Sequence, residues 1–223
     1  MTWDPIWEDI FRVRDWGRYP PEELIRFVAR NFYSAPDRRA VKILEIGCGP
    51  GANIWFFARE GFAAYGIDGS ATAVEKARSR LAGDGLIADL QVGDVLRLRE
   101  YYPPNSFDAV VDVACLQCNR LSSVEAILDG VREVLRPGGR VFSMLVAEGS
   151  YGYGLGKEVE HGTFVDISEG PTKGTGLCHF FALNEVHRIF RGFVDVHVEY
   201  STRSFNERRD WYKNWIVEGV AGQ

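Results

Sequence analysis

Between residues 41 and 147 the chain alternates short apolar runs with longer amphipathic ones, and this alternation restricts the fold more than any other feature. Short apolar runs bounded by turn residues suit strands buried on both faces. They predict strands over 41–46, 63–68, 86–92, 107–114 and 140–147. Helices are predicted between them, one of them opened by a capping box at Ser122-Ser123-Val124-Glu125 and running to residue 135. Strand–helix repetition of this kind gives a parallel sheet covered by helices on both faces, because each crossover must return right-handed. The tail breaks the pattern. A helix over 183–190 precedes strands over 194–204 and 211–220, and the short turn between these two makes them antiparallel.

Residues 1–40 read differently. Trp3, Trp7 and Phe11 recur every four residues beside Ile6 and Ile10, the stripe of an amphipathic helix. Pro20-Pro21-Glu22-Glu23 opens a second helix through Leu24, Phe27, Val28 and Phe32. The organisation expected is a helical cap over 1–40 and one domain over 41–223. Within that domain, 148–178 is a long loop on the substrate side, and it holds eight of the 24 glycines.

The 26 Lys and Arg against 31 Asp and Glu leave no global cationic field, which argues against nucleic acid or anionic lipid as partner. Arg203, Arg208 and Arg209 are diluted by Glu207 and Asp210 and read as a solvated turn. No apolar run reaches the ~18–20 residues of a membrane span. The start, Met1-Thr2-Trp3-Asp4-Pro5, lacks the basic stretch of a signal peptide, and Cys48, Cys115, Cys118 and Cys178 are scattered. The expectation is a cytoplasmic protein.

The chemistry concentrates at strand ends. The first strand closes on Gly47-x-Gly49-x-Gly51, where glycine permits positive φ and close approach of a ligand. Gly47-x-Gly49-x-x-Ala52 also meets the relaxed dinucleotide fingerprint, so a nicotinamide oxidoreductase is an alternative. Asp68 ends the second strand and suits two ribose hydroxyls while repelling a 2′-phosphate. Asp94 follows the third strand and suits an adenine amino group. Glu45 lies inside an apolar strand, a costly position without a partner.

At this point the chain resembles a known family. Leu44-Glu45-Ile46-Gly47-Cys48-Gly49-Pro50-Gly51 resembles motif I of class I S-adenosylmethionine-dependent methyltransferases. Asp68 falls at that family's ribose-binding acid, Gly93-Asp94-Val95 at its adenine-contacting motif, Phe107-Asp108-Ala109-Val110-Val111 at its fourth strand, and Leu135-Arg136-Pro137-Gly138-Gly139-Arg140 at its turn into the fifth. The resemblance spans residues 41 to 147 by motif and extends to about 220 by element order. It implies a Rossmann-like seven-stranded α/β sheet, mostly parallel with the last strand antiparallel, under an N-terminal helical lid. It implies S-adenosyl-L-methionine as cofactor and a small-molecule methyl acceptor, such as a sugar or natural-product intermediate. The cofactor would rest on Gly47, Cys48, Gly49 and Gly51, with Glu45 ordering that turn, Asp68 on the ribose, and Gly69, Asp94 and Val95 around the adenine. Ala114, Cys115 and Gln117 would lie near the sulfonium. A non-catalytic protein of the same fold is a further alternative, disfavoured by the intact glycines and acids.

Methyl transfer needs alignment and exclusion of water, and a hydroxyl acceptor also needs a base. His161 and His179 are the base candidates, beside Glu160. Trp16, Arg18 and Tyr19 are lid and substrate candidates, with Tyr151 and Tyr153 from the glycine-rich stretch. Cys115-x-x-Cys118 offers too few thiols for a structural zinc site, so no metal is expected.

Overall fold

The computed structural model describes residues 3–14 and 16–222; Met1 and Thr2, read above for a leader, lie outside them. Its centre is a seven-stranded sheet in the order β3-β2-β1-β4-β5-β10-β9. The parallel part comprises β1 (Lys42–Ile46), β2 (Ala63–Asp68), β3 (Asp89–Val92), β4 (Phe107–Val113) and β5 (Leu135–Val146). Antiparallel β10 (Asp210–Ala221) pairs with β5 and with β9 (Phe193–Phe205). The expected fold is therefore the one found. The tip of the last hairpin turns through Asn206, Glu207 and Arg208, all at positive φ.

Strand neighbours point to opposite faces, and the two cores follow. Leu44, Ile46 and Val110 join Ile127 and Val131 of α6 (Leu121–Val134) and Val186 of α7 (Leu183–Ile189). Ile43, Val111 and Phe142 join α3 (Ala52–Arg59), α4 (Ala71–Gly83) and α2 (Glu22–Phe32) on the other face. Phe27 of α2 lies 5.1 Å from Phe142, ring to ring. Thus α2 is built into the main core, whereas α1 (Ile6–Val13) sits on α4. Glu8 of α1 accepts hydrogen bonds from the hydroxyls of Ser70 and Thr72, both 2.5 Å, at the start of α4. A short helix, α5 (Leu98–Tyr101), follows β3.

Three local expectations change. β3 is four residues long, because residues 86–88 approach it without pairing. The capping box at Ser122 does not form. Helix α6 starts one residue earlier, and the Leu121 N–H donates to Glu160 at 3.0 Å, a carboxylate 39 positions further on. Residues 148–178 are not simply a loop. They contain β6 (Lys157–Glu160) and β7 (Thr163–Val165), which with β8 (Cys178–His179) make a second, antiparallel sheet. Val146, Phe164, Ile167, Cys178 and Phe180 form its own small core. Strands of two to four residues carry too little periodicity to read from sequence.

Candidate active site

A cavity of about 240 Å³ opens at the carboxyl ends of β1, β2 and β4, beneath α1 and the connector to α2. The turn after β1 forms its floor. Gly47, Gly49 and Gly51 all take positive φ, but for different reasons. A Cβ on Gly47 would lie 2.5 Å from the Cβ and Sγ of Cys115, so only glycine lets the turn pass the end of β4. A Cβ on Gly51 would lie 2.8 Å from Ala77, so this glycine lets α3 start against α4. Gly51 lies off the cavity wall, which corrects its assignment to the cofactor floor; Gly47, Cys48 and Gly49 do line it.

Two carboxylates face this floor. Asp68 accepts the Gly49 and Ser70 N–H groups, each at 2.8 Å, which holds the glycine turn to the end of β2. Its burial raises its pKa against those two hydrogen bonds. Glu45 is buried in β1 and takes one hydrogen bond, from Asn53 Nδ2 at 2.5 Å. Burial pushes its carboxyl well above the usual range. Among the described residues Glu45 Oε2 and Asn53 Oδ1 find no partner, although both residues line the cavity. Two buried acceptors left open at a cavity edge are the complement of a donor-rich or cationic group.

The end of β4 supplies the opposite wall. Ala114 turns the chain at φ 67°, and Ala114, Cys115, Cys118 and Asn119 line the cavity. Asp112 shapes this turn by accepting the Cys115 and Leu116 N–H groups at 2.9 and 3.0 Å, with the Ser143 hydroxyl beside it. Burial pushes Asp112 up to about 6. Burial also raises the Cys115 and Cys118 thiols well above their usual range, so this wall carries neutral SH groups. Gln117 does not reach the cavity. Its Oε1 accepts the Val146 N–H at 2.9 Å and ties the turn to β5.

Gly69 and Val95, expected around an adenine, line the cavity, but Asp94 does not. Its carboxylate accepts the Leu96 N–H at 3.0 Å and caps the short helical turn at 95–97. Above the floor stand Trp3, Trp7, Phe11 and Trp16. The rings of Trp7, Phe11 and Trp16 lie 5.6 to 5.9 Å apart in a mutual triangle. Tyr19 joins the rim, while Arg18 faces an adjoining outer groove, its carbonyl taking a hydrogen bond from Arg80.

The proposed bases lie elsewhere. His161 is exposed on the β6–β7 turn, 3.8 Å from Glu158. His179 is fully buried; its Nδ1 meets the Thr163 hydroxyl at 2.6 Å, and that hydroxyl lies 3.0 Å from Glu160. With Nδ1 donating and the threonine donating onward, Nε2 carries no proton and makes no hydrogen bond to Glu185, 3.4 Å away. Burial lowers the His179 pKa, which favours this neutral form. Tyr151 and Tyr153 likewise turn away, donating to Glu169 and Glu148. Sequence reasoning placed these groups by chain position alone, and it missed Asp4 and Asn119 on the cavity wall and Asp112, which shapes the turn after β4.

Residues 43–139 match the family model of a methyltransferase domain. A ubiquinone biosynthesis O-methyltransferase from Brucella anthropi is 29% identical over 52% of this chain and 45% of its own length. A sterol 24-C-methyltransferase from Neurospora crassa is 28% identical over 91% of this chain and 53% of its own. The chain spans about half the length of these curated relatives. Among solved structures, a SAM-dependent methyltransferase from Methanosarcina mazei aligns with a TM-score of 0.66 at 21% identity, covering 81% of this chain and 92% of that one. The glycine turn, the carboxylates in β1 and at the end of β2, and the sheet order agree with these matches: residues 43–139 match a methyltransferase domain, and the chain has the fold of the S-adenosylmethionine-dependent methyltransferases.

Proposed function

We propose that the protein transfers a methyl group from S-adenosylmethionine to a small-molecule acceptor. The observation carrying this reading is the open Glu45 Oε2 beside the Gly47–Gly49 floor, across from an Asp68 already anchored by two backbone N–H groups. Glu45 would hold the ammonium of the methionine part, and the remaining lone pairs of Asp68 would accept the ribose hydroxyls. When bound, the cofactor supplies a methyl group made electrophilic by its sulfonium. The chain contributes alignment and dryness: Ala114 and Cys115 shape the wall beyond the glycine turn, while Trp7, Phe11 and Trp16 keep water away. No helix among the described residues is long and apolar enough to cross a membrane, and the four free cysteines suit a reducing cytoplasm.

Isothermal titration with S-adenosylmethionine, S-adenosylhomocysteine and NAD tests the proposal. Binding of the two sulfur compounds and not of NAD is expected. NAD binding without either of the others would establish the oxidoreductase alternative.

A further inference from the structure

The cavity has a charge asymmetry that bears on what enters it. Among the described residues, Asp4, Glu45 and Asp68 line it, and no lysine, arginine or histidine does. Glu45 and Asp68 are assigned to the cofactor by the function proposed above, on which this inference rests. Asp4 remains. Its Oδ1 accepts the Ile6 N–H at 3.1 Å and opens α1. Its Oδ2 occupies space that a side chain at residue 176 would fill, 2.5 Å from where the Gly176 Cβ would be. Glycine at 176 thus leaves room for a carboxylate between α1 and the glycine-rich segment, on the cavity wall.

The rest of this wall is aromatic. Trp3, Trp7 and Phe11 line the interior, and Trp16 and Tyr19 stand at the rim, 44% and 73% exposed. Two large aromatic side chains left open to water at a cavity mouth suit a flat apolar ligand that covers them. Arg18, Lys76 and Arg80 lie in the adjoining outer groove beside Glu75 and Asp84, and Arg14 reaches Gly174 without lining the cavity.

We infer that the methyl acceptor is a flat, apolar molecule whose portion inside the cavity is uncharged or cationic, and that Asp4 is the residue that selects against anionic acceptors. A carboxylate or phosphate there would meet a carboxylate with no lysine, arginine or histidine on the cavity wall to offset it. An amine would find in Asp4 a partner for its charge.

The test uses three indoles of one shape and different charge, titrated at pH 7.5 into the protein loaded with S-adenosylhomocysteine. Indole-3-ethanol and tryptamine are expected to bind, and indole-3-acetate to bind at least about tenfold more weakly. Asp4→Asn keeps the acceptor for the Ile6 N–H and removes the charge; it should bring the three affinities within about threefold. Indole-3-acetate binding as tightly as the other two, no indole binding at millimolar concentration, or an Asp4→Asn variant with unchanged preference would each overturn the inference. If S-adenosylhomocysteine itself fails to bind, the methyltransferase reading falls, and this inference with it. If it binds and the indoles are not discriminated, only the inference falls.

Discussion

Two groups of polar side chains, one at the ends of β1, β2 and β4 and one in the glycine-rich insert, differ in where their hydrogen bonds go. At the ends of β1, β2 and β4, Glu45 and Asp68 face a cavity, and Glu45 keeps an oxygen with no partner. In the glycine-rich insert, Glu160, Thr163 and His179 bond to one another and Glu160 bonds to the start of α6. The first group is incomplete without a ligand. The second joins the insert to α6, and the atom it leaves without a partner among the described residues, His179 Nε2, is buried away from the cavity. Chemical type alone does not separate them: a buried histidine beside glutamates resembles a catalytic base until its bonds are traced. An unmet acceptor at a cavity edge is the better sign of a binding role.

The largest expected effect is at Asp68. Asp68→Ala frees the Gly49 and Ser70 N–H groups and would also remove the two contacts proposed above for a ribose. S-adenosylhomocysteine affinity should fall at least about 100-fold by calorimetry. A change below threefold would break the contrast, by placing Asp68 with the structural group.

Next comes the floor. Gly47→Ala combines positive φ with a clash against Cys115, whereas Gly85, also at positive φ, has nothing within 4 Å. Urea unfolding should show a loss of about 3 kcal/mol for the first and about 1 kcal/mol for Gly85→Ala. Equal losses would mean that the close approach at Cys115 is not a constraint.

The two regions should also respond oppositely to pH. Asp112 rises from 3.8 to about 6 on folding, so the native state holds the proton more tightly. Its contribution to stability is full below the unfolded value and declines as pH rises towards about 6, by on the order of 3 kcal/mol. His179 is shifted down by burial, so the unfolded state holds the proton more tightly. Its contribution is full above the unfolded value of about 6.5 and declines as pH falls below it. Unfolding free energies measured from pH 4.5 to 8 should lose the first slope in Asp112→Asn and the second in His179→Gln. Slopes of the same sign would contradict the hydrogen-bond assignments.

The smallest effect sharpens the comparison by its absence. His161 is exposed and off the cavity, so His161→Ala should leave cofactor affinity and Tm within error of the parent protein. A loss of cofactor binding would bring the insert into the site.

Much of the fold was legible because it rests on local patterns. The strands at Lys42–Ile46 and Phe107–Val113 announce themselves by apolar runs, and the glycine turn by its spacing. Glu45 and Asp68 were legible because a carboxylate in or at the end of an apolar strand is costly without a reason. Asp94, Gln117, His161 and His179 were not separable from them, since their bonds run to partners that the sequence does not order in space. The start of α6 shows the same limit. Its local capping signal at Ser122 is set aside for Glu160, which the insert brings to the Leu121 N–H.

Sequence by itself therefore determined the sheet, its crossovers and the ligand-facing turn, because backbone sterics and period-two burial act over a few residues. Only the tertiary structure decided which polar side chains face the cavity and which are spent inside the protein. That choice depends on contacts between segments apart in the chain: the packing of Asp4 beside Gly176, and the hydrogen bonds of Glu8 with Ser70 and of Thr163 with His179.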